Sequence, residues 1–322
     1  MKYAKPLVMK KTKADPTGLS TKRDRSGAAI IKRLKKSESA IKALFRAIPR
    51  SRKSVAVIQN AEGVAYEYDL TPEQLEIFNA EIRRILSSDL LETQGDRVPV
   101  EWWWKPVIEQ PYRQGTLEDL ISFNQLVAAA VVAGITVKGF PPQKVAPELA
   151  LSSFDYIKNL NNVYVSNFAT IKTLSDRTAD QVIQQINSGI QAGSTPTEIS
   201  GRISDRFDVS ESSARRIADT EINKAYNDAK ISAINIASEQ TGLRAGVIHI
   251  SALTNTTRPN HAARHGNAYT TQQQQDWWNS GSERINCLCV TRPALVDASG
   301  KLRDPETQEK IKAESIFFSE VA

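Results

Sequence analysis

Ala214-Arg215-Arg216-Ile217-Ala218-Asp219-Thr220-Glu221-Ile222-Asn223-Lys224-Ala225-Tyr226-Asn227 is the stretch on which the fold turns. Its apolar positions recur at helical spacing, and the pattern extends to a helix from Ser210 to about Glu239. The inward face reads Ala214, Ile217, Ala218, Ile222, Ala225, Ala229 and Ile236, and its alanines allow close packing by a neighbour. A strand follows at Ala245–Ile250, alternating only imperfectly. Upstream, Thr195-Pro196-Thr197-Glu198 combines a capping hydroxyl, a first-turn proline and the acid of a capping box. It opens a short helix, Glu198–Phe207, expected to end in a turn before Ser210. Further helical patterning covers Phe154–Thr170 and Ser175–Gly189. Helices that lead into a strand without regular alternation point to the α+β class.

Beyond that strand lies the densest chemistry. The three His and both Cys fall between His249 and Cys289. His261 and His265 stand four apart, one face of a helix, and Cys287-Leu288-Cys289 supplies two thiols. Together His261, His265, Cys287 and Cys289 form a candidate His2Cys2 zinc site, since thiolates and neutral imidazoles are the donors tetrahedral zinc takes. Against it stand the tight Cys-x-Cys spacing and the lack of a carboxylate that sequence alone assigns to the outer layer. The other reading is a loop tied by His and Arg hydrogen bonds, with the cysteines packed as small apolar groups.

Four pieces of this half resemble one family. The Arg216…Thr220-Glu221 helix with its later Asn, the loop Thr257-Arg258-Pro259-Asn260-His261 with Gly266, the closing Asn286-Cys287-Leu288-Cys289, and the Gly193…Glu198-Ile199 approach follow the order found in the phage Mu F-like head morphogenesis group. The resemblance covers about residues 150–295. It marks Thr220, Glu221, Arg258, His261, Gly266, Cys287 and Cys289 as signature positions. It implies structural roles for them, with Glu221 accepting from Arg258 and His261 bridging loop and helix. Asn255 stands where the family commonly carries Asp, which weakens any water-activating role for a carboxylate there. The family's members are minor head proteins of the procapsid, associated with the portal or the inner capsid surface, some with packaged DNA. The resemblance therefore implies a virion protein that assembles in the host cytoplasm. Its expected partners are a portal protein, a major capsid or scaffolding protein, and packaged DNA.

The first half carries fewer signals. Residues 1–28 read as a flexible basic arm. An amphipathic helix follows on Ile30, Ile31, Leu34, Ile41, Leu44, Phe45 and Ile48, stopped by Pro49. Ser54–Ile58 and Val64–Tyr68 flank Asn60-Ala61-Glu62-Gly63 as a hairpin. Thr71-Pro72-Glu73-Gln74 opens a helix running on Leu75, Phe78, Ile82, Ile85 and Leu86. Trp102-Trp103-Trp104 is assigned to a partner surface, with a wedge into a neighbouring helix as its alternative. Helical pattern resumes at Glu118–Ala133, and Gly139-Phe140-Pro141-Pro142 marks a boundary. The expected organisation is a 1–28 arm, a mainly helical 29–145 region with a small hairpin, a compact α+β Mu F-like domain at 150–295, and a loosely held charged tail at 296–322.

Charge is uneven. Residues 1–50 hold 15 Lys/Arg against three acids, while the rest of the chain is net acidic. Lys10, Lys11, Lys13, Lys22, Arg23, Arg25, Lys32, Arg33, Lys35 and Lys36 form a candidate phosphate-binding arm, or one that docks on an acidic protein. No aromatics interleave there, so no base-stacking platform is offered. No apolar run reaches transmembrane length and no secretory signal is visible, so no membrane role is expected. A Gly-x-x-x-x-Gly-Lys-Ser/Thr loop is missing, which excludes a packaging motor. The head-protein reading, without enzymatic activity, stands against two alternatives. One is a metal-dependent phosphodiesterase or nuclease with Glu221 or His249 as base, and the other is a DNA-binding protein acting outside the virion.

Overall fold

The computed structural model describes residues 11–12, 14–57, 61–137, 147–297 and 301–319. Nine α-helices and five strands are found among the described residues: α1 Ser20–Arg46, β1 Arg50–Val57, β2 Ala61–Tyr68, α2 Pro72–Leu91, α3 Lys105–Val132, α4 Pro147–Leu151, α5 Phe154–Gln191, α6 Pro196–Thr241, β3 Ala245–Ile250, α7 Pro259–Ala262, β4 Ala268–Tyr269, α8 Thr271–Asn279, β5 Val290–Leu295 and α9 Pro305–Ser319. The protein is α+β, with helix dominant and the strands in two small antiparallel sheets. The chain divides into two compact units, one of Met1–Arg23, Trp104–Val163 and Asp219–Ala322, the other of Asp24–Trp103 and Tyr164–Ala218.

In the second of these units β1 and β2 pair antiparallel, from Arg50 opposite Tyr68 to Val57 opposite Ala61. Both sequence-read caps form. Thr71 and Gln74 exchange side-chain and backbone bonds at the start of α2, and Thr195 and Glu198 do the same at α6. Ile30, Leu34, Phe45, Ile82, Leu86, Phe168, Ile186 and Ile203 are among its buried side chains. Where a turn was expected before Ser210, α6 continues unbroken. Ser210 bonds back to the Arg206 carbonyl at 2.9 Å and to Thr178 Oγ1 at 2.9 Å, so the hydroxyl is satisfied inside the helix instead of ending it.

The tryptophan triplet is not a partner surface. Trp102 and Trp104 are 1% and 0% exposed. Trp102 packs edge-on to Phe168 at 5.2 Å, and the Trp102 and Trp103 indoles both donate to the Leu90 carbonyl. Arg33 lies over the Trp103 ring at 4.1 Å. The Trp102 and Trp103 rings close the end of α2, which is the wedge alternative.

In the other unit the sheet order is β4-β3-β5, all antiparallel. β3 is its central strand, and four consecutive residues are buried, which is why its sequence does not alternate. Pro293 is tolerated because β5 is an edge. Leu120, Phe123, Val127 and Ala130 of α3 pack with Ala233 and Ala237 of α6 and with Leu243. Gly115 is required at the α3–α6 crossing, where a Cβ would stand 2.3 Å from the Tyr226 carbonyl oxygen. Beside it Lys230 forms a buried ion pair with Asp119, and Tyr226 donates to Glu118, which also pairs with Lys11 at 2.6 Å.

Two terminal expectations change. Residues 20–28 of the expected arm are helical, as the start of α1. Asp15 Oδ2 accepts from the Ser20 amide at 2.8 Å and Thr17 Oγ1 from the Leu19 amide at 3.1 Å, which fixes the chain into that helix. The 296–322 tail includes α9, and it is held: Val296 bridges Leu302, and Ile311 packs on Ile248, Ala294 and Leu302. The expected Gly139–Pro142 boundary lies outside the described residues.

Candidate functional site

The site is framed by α6. Thr220, Asn223 and Asn227 stand three and four residues apart, hence on one helical face. Each holds one backbone group of the Cys-x-Cys segment. Thr220 Oγ1 accepts from the Asn286 amide at 3.0 Å, Asn223 Nδ2 donates to the Cys287 carbonyl at 2.8 Å, and Asn227 Nδ2 donates to the Cys289 carbonyl at 3.0 Å. Asn286 has φ 52°, a left-handed conformation that asparagine tolerates better than most residues, and the chain turns there into the cysteines. Cys287 and Cys289 are buried on either side of half-buried Leu288, and both thiols are free.

Facing them is α7, started by Pro259. His261 is buried, with Nδ1 3.3 Å from Cys289 Sγ and 3.5 Å from Cys287 Sγ. Its Nε2 lies 2.6 Å from Glu283 Oε2, which also accepts from Asn260 Nδ2 at 3.0 Å. An ionised Glu283 requires the proton on Nε2, so in the neutral ring the Nδ1 lone pair faces the thiols. Burial alone would raise the Glu283 carboxyl, but the Asn260 and His261 hydrogen bonds outweigh it and hold the pKa below its usual range. Between the thiols, the hydrogen bond from Cys289, with His261 nearby, brings Cys287 down to about 5, while the same bond and burial push Cys289 up. Ser251 Oγ lies 3.6 Å from Cys289 Sγ.

The remaining signature residues brace this cluster. Arg258 donates to the Ser282 and Glu283 carbonyls at 2.9 and 2.7 Å. It therefore orients the Glu283 turn and does not pair with Glu221, as the family resemblance had implied. Glu221 is buried on α6. Gly266 has φ 72°, and a Cβ there would lie 2.5 Å from Lys312 Cγ and 2.9 Å from the Lys312 amide. His265 faces away from the thiols, with Nδ1 accepting from the Ser251 amide at 3.1 Å and Nε2 3.0 Å from the Ile311 carbonyl. Of the four residues read as metal ligands, three therefore converge. His261, Cys287 and Cys289 place their donor atoms within 4.8 Å of one another.

Glu283 and Arg264 were not legible from sequence, and His249 was nominated there only as a base. Glu283 supplies the carboxylate that no spacing assigned. His249, fully buried, contacts Gln274 Oε1 at 3.2 Å and the edge of Trp277 at 5.2 Å, and burial drives its pKa down to about 3. Arg264 lies between the rings of Tyr269 and Trp277, at 3.7 and 4.1 Å. The Trp277 ring also meets His261 edge-on at 4.7 Å, so the aromatic layer shields the cluster from water.

Residues 180–292 match the family described as Phage Mu protein F like protein. The chain carries a Phage Mu F-like domain. The match takes in all of α6, the His261 loop and the Cys-x-Cys segment, so the residues that build the cluster belong to it. Over those residues the chain is similar to phage Mu F-like proteins, and the rest of the chain lies outside the match. Neither the curated proteins nor the solved structures contain a match to the chain.

The basic arm is mostly engaged within the protein. Arg23 is buried against Asp15, Asp219 and Asn223, so it is unavailable to a phosphate. Lys22 donates to Gln110, Arg33 pairs with Glu92, Lys35 with Glu211 and Lys36 with Asp89. Arg25 and Lys32 are exposed on α1, and Lys10 and Lys13 lie outside the described residues.

Proposed function

We propose that this protein is a minor head protein of a tailed bacteriophage, acting in procapsid assembly through contact with the portal. The family match carries this reading, because it covers the framing helix and the whole thiol–imidazole cluster. The architecture is consistent with it. The signature side chains bond to backbone groups and to one another, as expected of residues that hold a domain in shape. Further contacts with the major capsid or scaffolding protein, and of the exposed basic residues with packaged DNA, belong to the same reading. Among the described residues no helix is long and apolar enough to cross a membrane.

A phosphodiesterase or nuclease reading finds less support. Among the described residues, a cavity that reaches Cys287 measures about 10 Å³, room for one water and none for a substrate. His249, nominated as base, is walled in by Gln274, Trp277 and Trp278.

The test is co-sedimentation of the purified full chain with its phage's portal protein, together with its recovery in procapsids. Co-migration with portal rings and loss of the protein from heads built on portal variants are expected. A chain recovered only in the soluble fraction, with heads assembling normally in its absence, would overturn the proposal.

A further inference from the structure

We propose that His261 Nδ1, Cys287 Sγ and Cys289 Sγ hold one zinc ion that locks the His261 loop to the Cys-x-Cys segment. The inference concerns the domain's own architecture and does not depend on the head-assembly reading.

Four observations carry it. The first is spacing. Zn–S bonds of about 2.3 Å and Zn–N bonds of about 2.0–2.1 Å at tetrahedral angles put sulfur and nitrogen about 3.6 Å apart. The two observed N···S separations are 3.3 and 3.5 Å, so the donors already stand along the edges of such a tetrahedron. The second is the tautomer. The Glu283 contact at His261 Nε2 leaves Nδ1 as the ligating atom, and a carboxylate on the far nitrogen of a ligating histidine is the usual outer support of a zinc site.

The third is the backbone. The Cys289 amide approaches Cys287 Sγ at 3.4 Å, a bond that favours the thiolate a metal needs. Asn223 and Asn227 fix the carbonyls of both cysteines, which sets two thiols only two residues apart on the same side. That removes the objection to a Cys-x-Cys pair, because the helix imposes the required backbone. The fourth is burial, since all three donors are shielded from water. An N/S2 set of this softness selects zinc over magnesium or calcium. One tetrahedral corner is left for an oxygen donor. Ser251 Oγ stands 3.6 Å from Cys289 Sγ.

The experiment uses the untagged full chain, purified under reducing conditions without chelator. Metal content is measured by mass spectrometry, and cobalt is then exchanged into the site. One zinc per chain and a sulfur-to-cobalt charge-transfer band are expected. Cys287→Ser/Cys289→Ser should lose both signals, whereas His265→Gln should keep them, because that ring faces Ile311. Glu283→Gln should bind zinc with affinity lower by about 10–100-fold. If the double serine variant fails to fold, the cobalt spectrum of the unmodified chain decides alone. A folded, reduced chain that takes up no zinc overturns the proposal, as does cobalt bound without the sulfur band.

Discussion

Asn223 donates its side-chain amide to the carbonyl of Cys287 across 64 residues of sequence, at 2.8 Å. One helical turn on, Asn227 repeats the bond to Cys289 at 3.0 Å. Both asparagines are buried, so removing either amide leaves a carbonyl without its donor and away from water. Asn223→Leu and Asn227→Leu should each lower unfolding free energy by about 1–3 kcal/mol. Thr220→Ala should act less strongly, because Asn286 is exposed and water can replace the hydroxyl. Urea unfolding of the three variants at constant m-value measures the ranking. Equal midpoints for Asn223→Leu and the unmodified chain would show that the helix does not hold the segment.

Sequence disclosed the elements better than their joints. The caps at Thr71 and Thr195 and the alanine face of α6 were readable because they depend on neighbours in the chain, whereas the capping box of Thr270 and Gln273 at α8 was not read. The break expected at Ser210 was wrong because a serine hydroxyl can end a helix or bond back within it, and only the Arg206 carbonyl and Thr178 decide between them. At the site, His261, Cys287 and Cys289 were picked out by residue type. Glu283 and the exclusion of His265 were not, since both depend on how the loop after α8 and helix α9 fold back on α7. The tryptophans misled for the same reason: adjacent indoles look like a surface until Leu90 and Phe168 are placed around Trp102 and Trp103.

The Asp119–Lys230 pair lies at the α3–α6 crossing with side chains 0% and 6% exposed. Burial pushes the Asp119 carboxyl up even beside the Lys230 ammonium, which opposes that rise. Truncating one partner strands the other charge in the interior. Asp119→Ala should destabilise the protein by about 3–5 kcal/mol, and Asp119→Leu/Lys230→Met should recover most of it. Denaturant unfolding of the single and double variants tests the point. A double variant no better than the single would mean that packing, not the stranded charge, sets the loss.

Gly266 meets two demands at once, a positive φ and a close approach to α9. Gly266→Ala should therefore strain the backbone and push Lys312 away, freeing α9 before the rest of the unit unfolds. Amide hydrogen exchange across residues 305–319 is the measurement. Faster exchange there, with α3 and α6 unchanged, is expected. Unaltered protection would show that α9 is held by Ile311 and the His265 contact alone.

Asp15 provides an acid-sensitive anchor for the start of α1. Burial alone would raise its pKa, but the Thr17 hydroxyl, the Ser20 amide and the Arg23 guanidinium outweigh burial and bring it from 3.8 to about 2. The folded carboxyl therefore gives up its proton more readily than the unfolded one. The stabilisation is fully present above the unfolded value of 3.8 and is lost as pH falls through about 2, below which both states are protonated. Asp15→Asn removes the charge and with it this pH dependence. The stability difference between the unmodified chain and the variant should be largest near neutral pH and should shrink across that acid window. Unfolding followed by circular dichroism at several acid pH values measures it. A difference that stayed constant through the window would mean that Asp15 acts by hydrogen-bond geometry and not by its charge on Arg23.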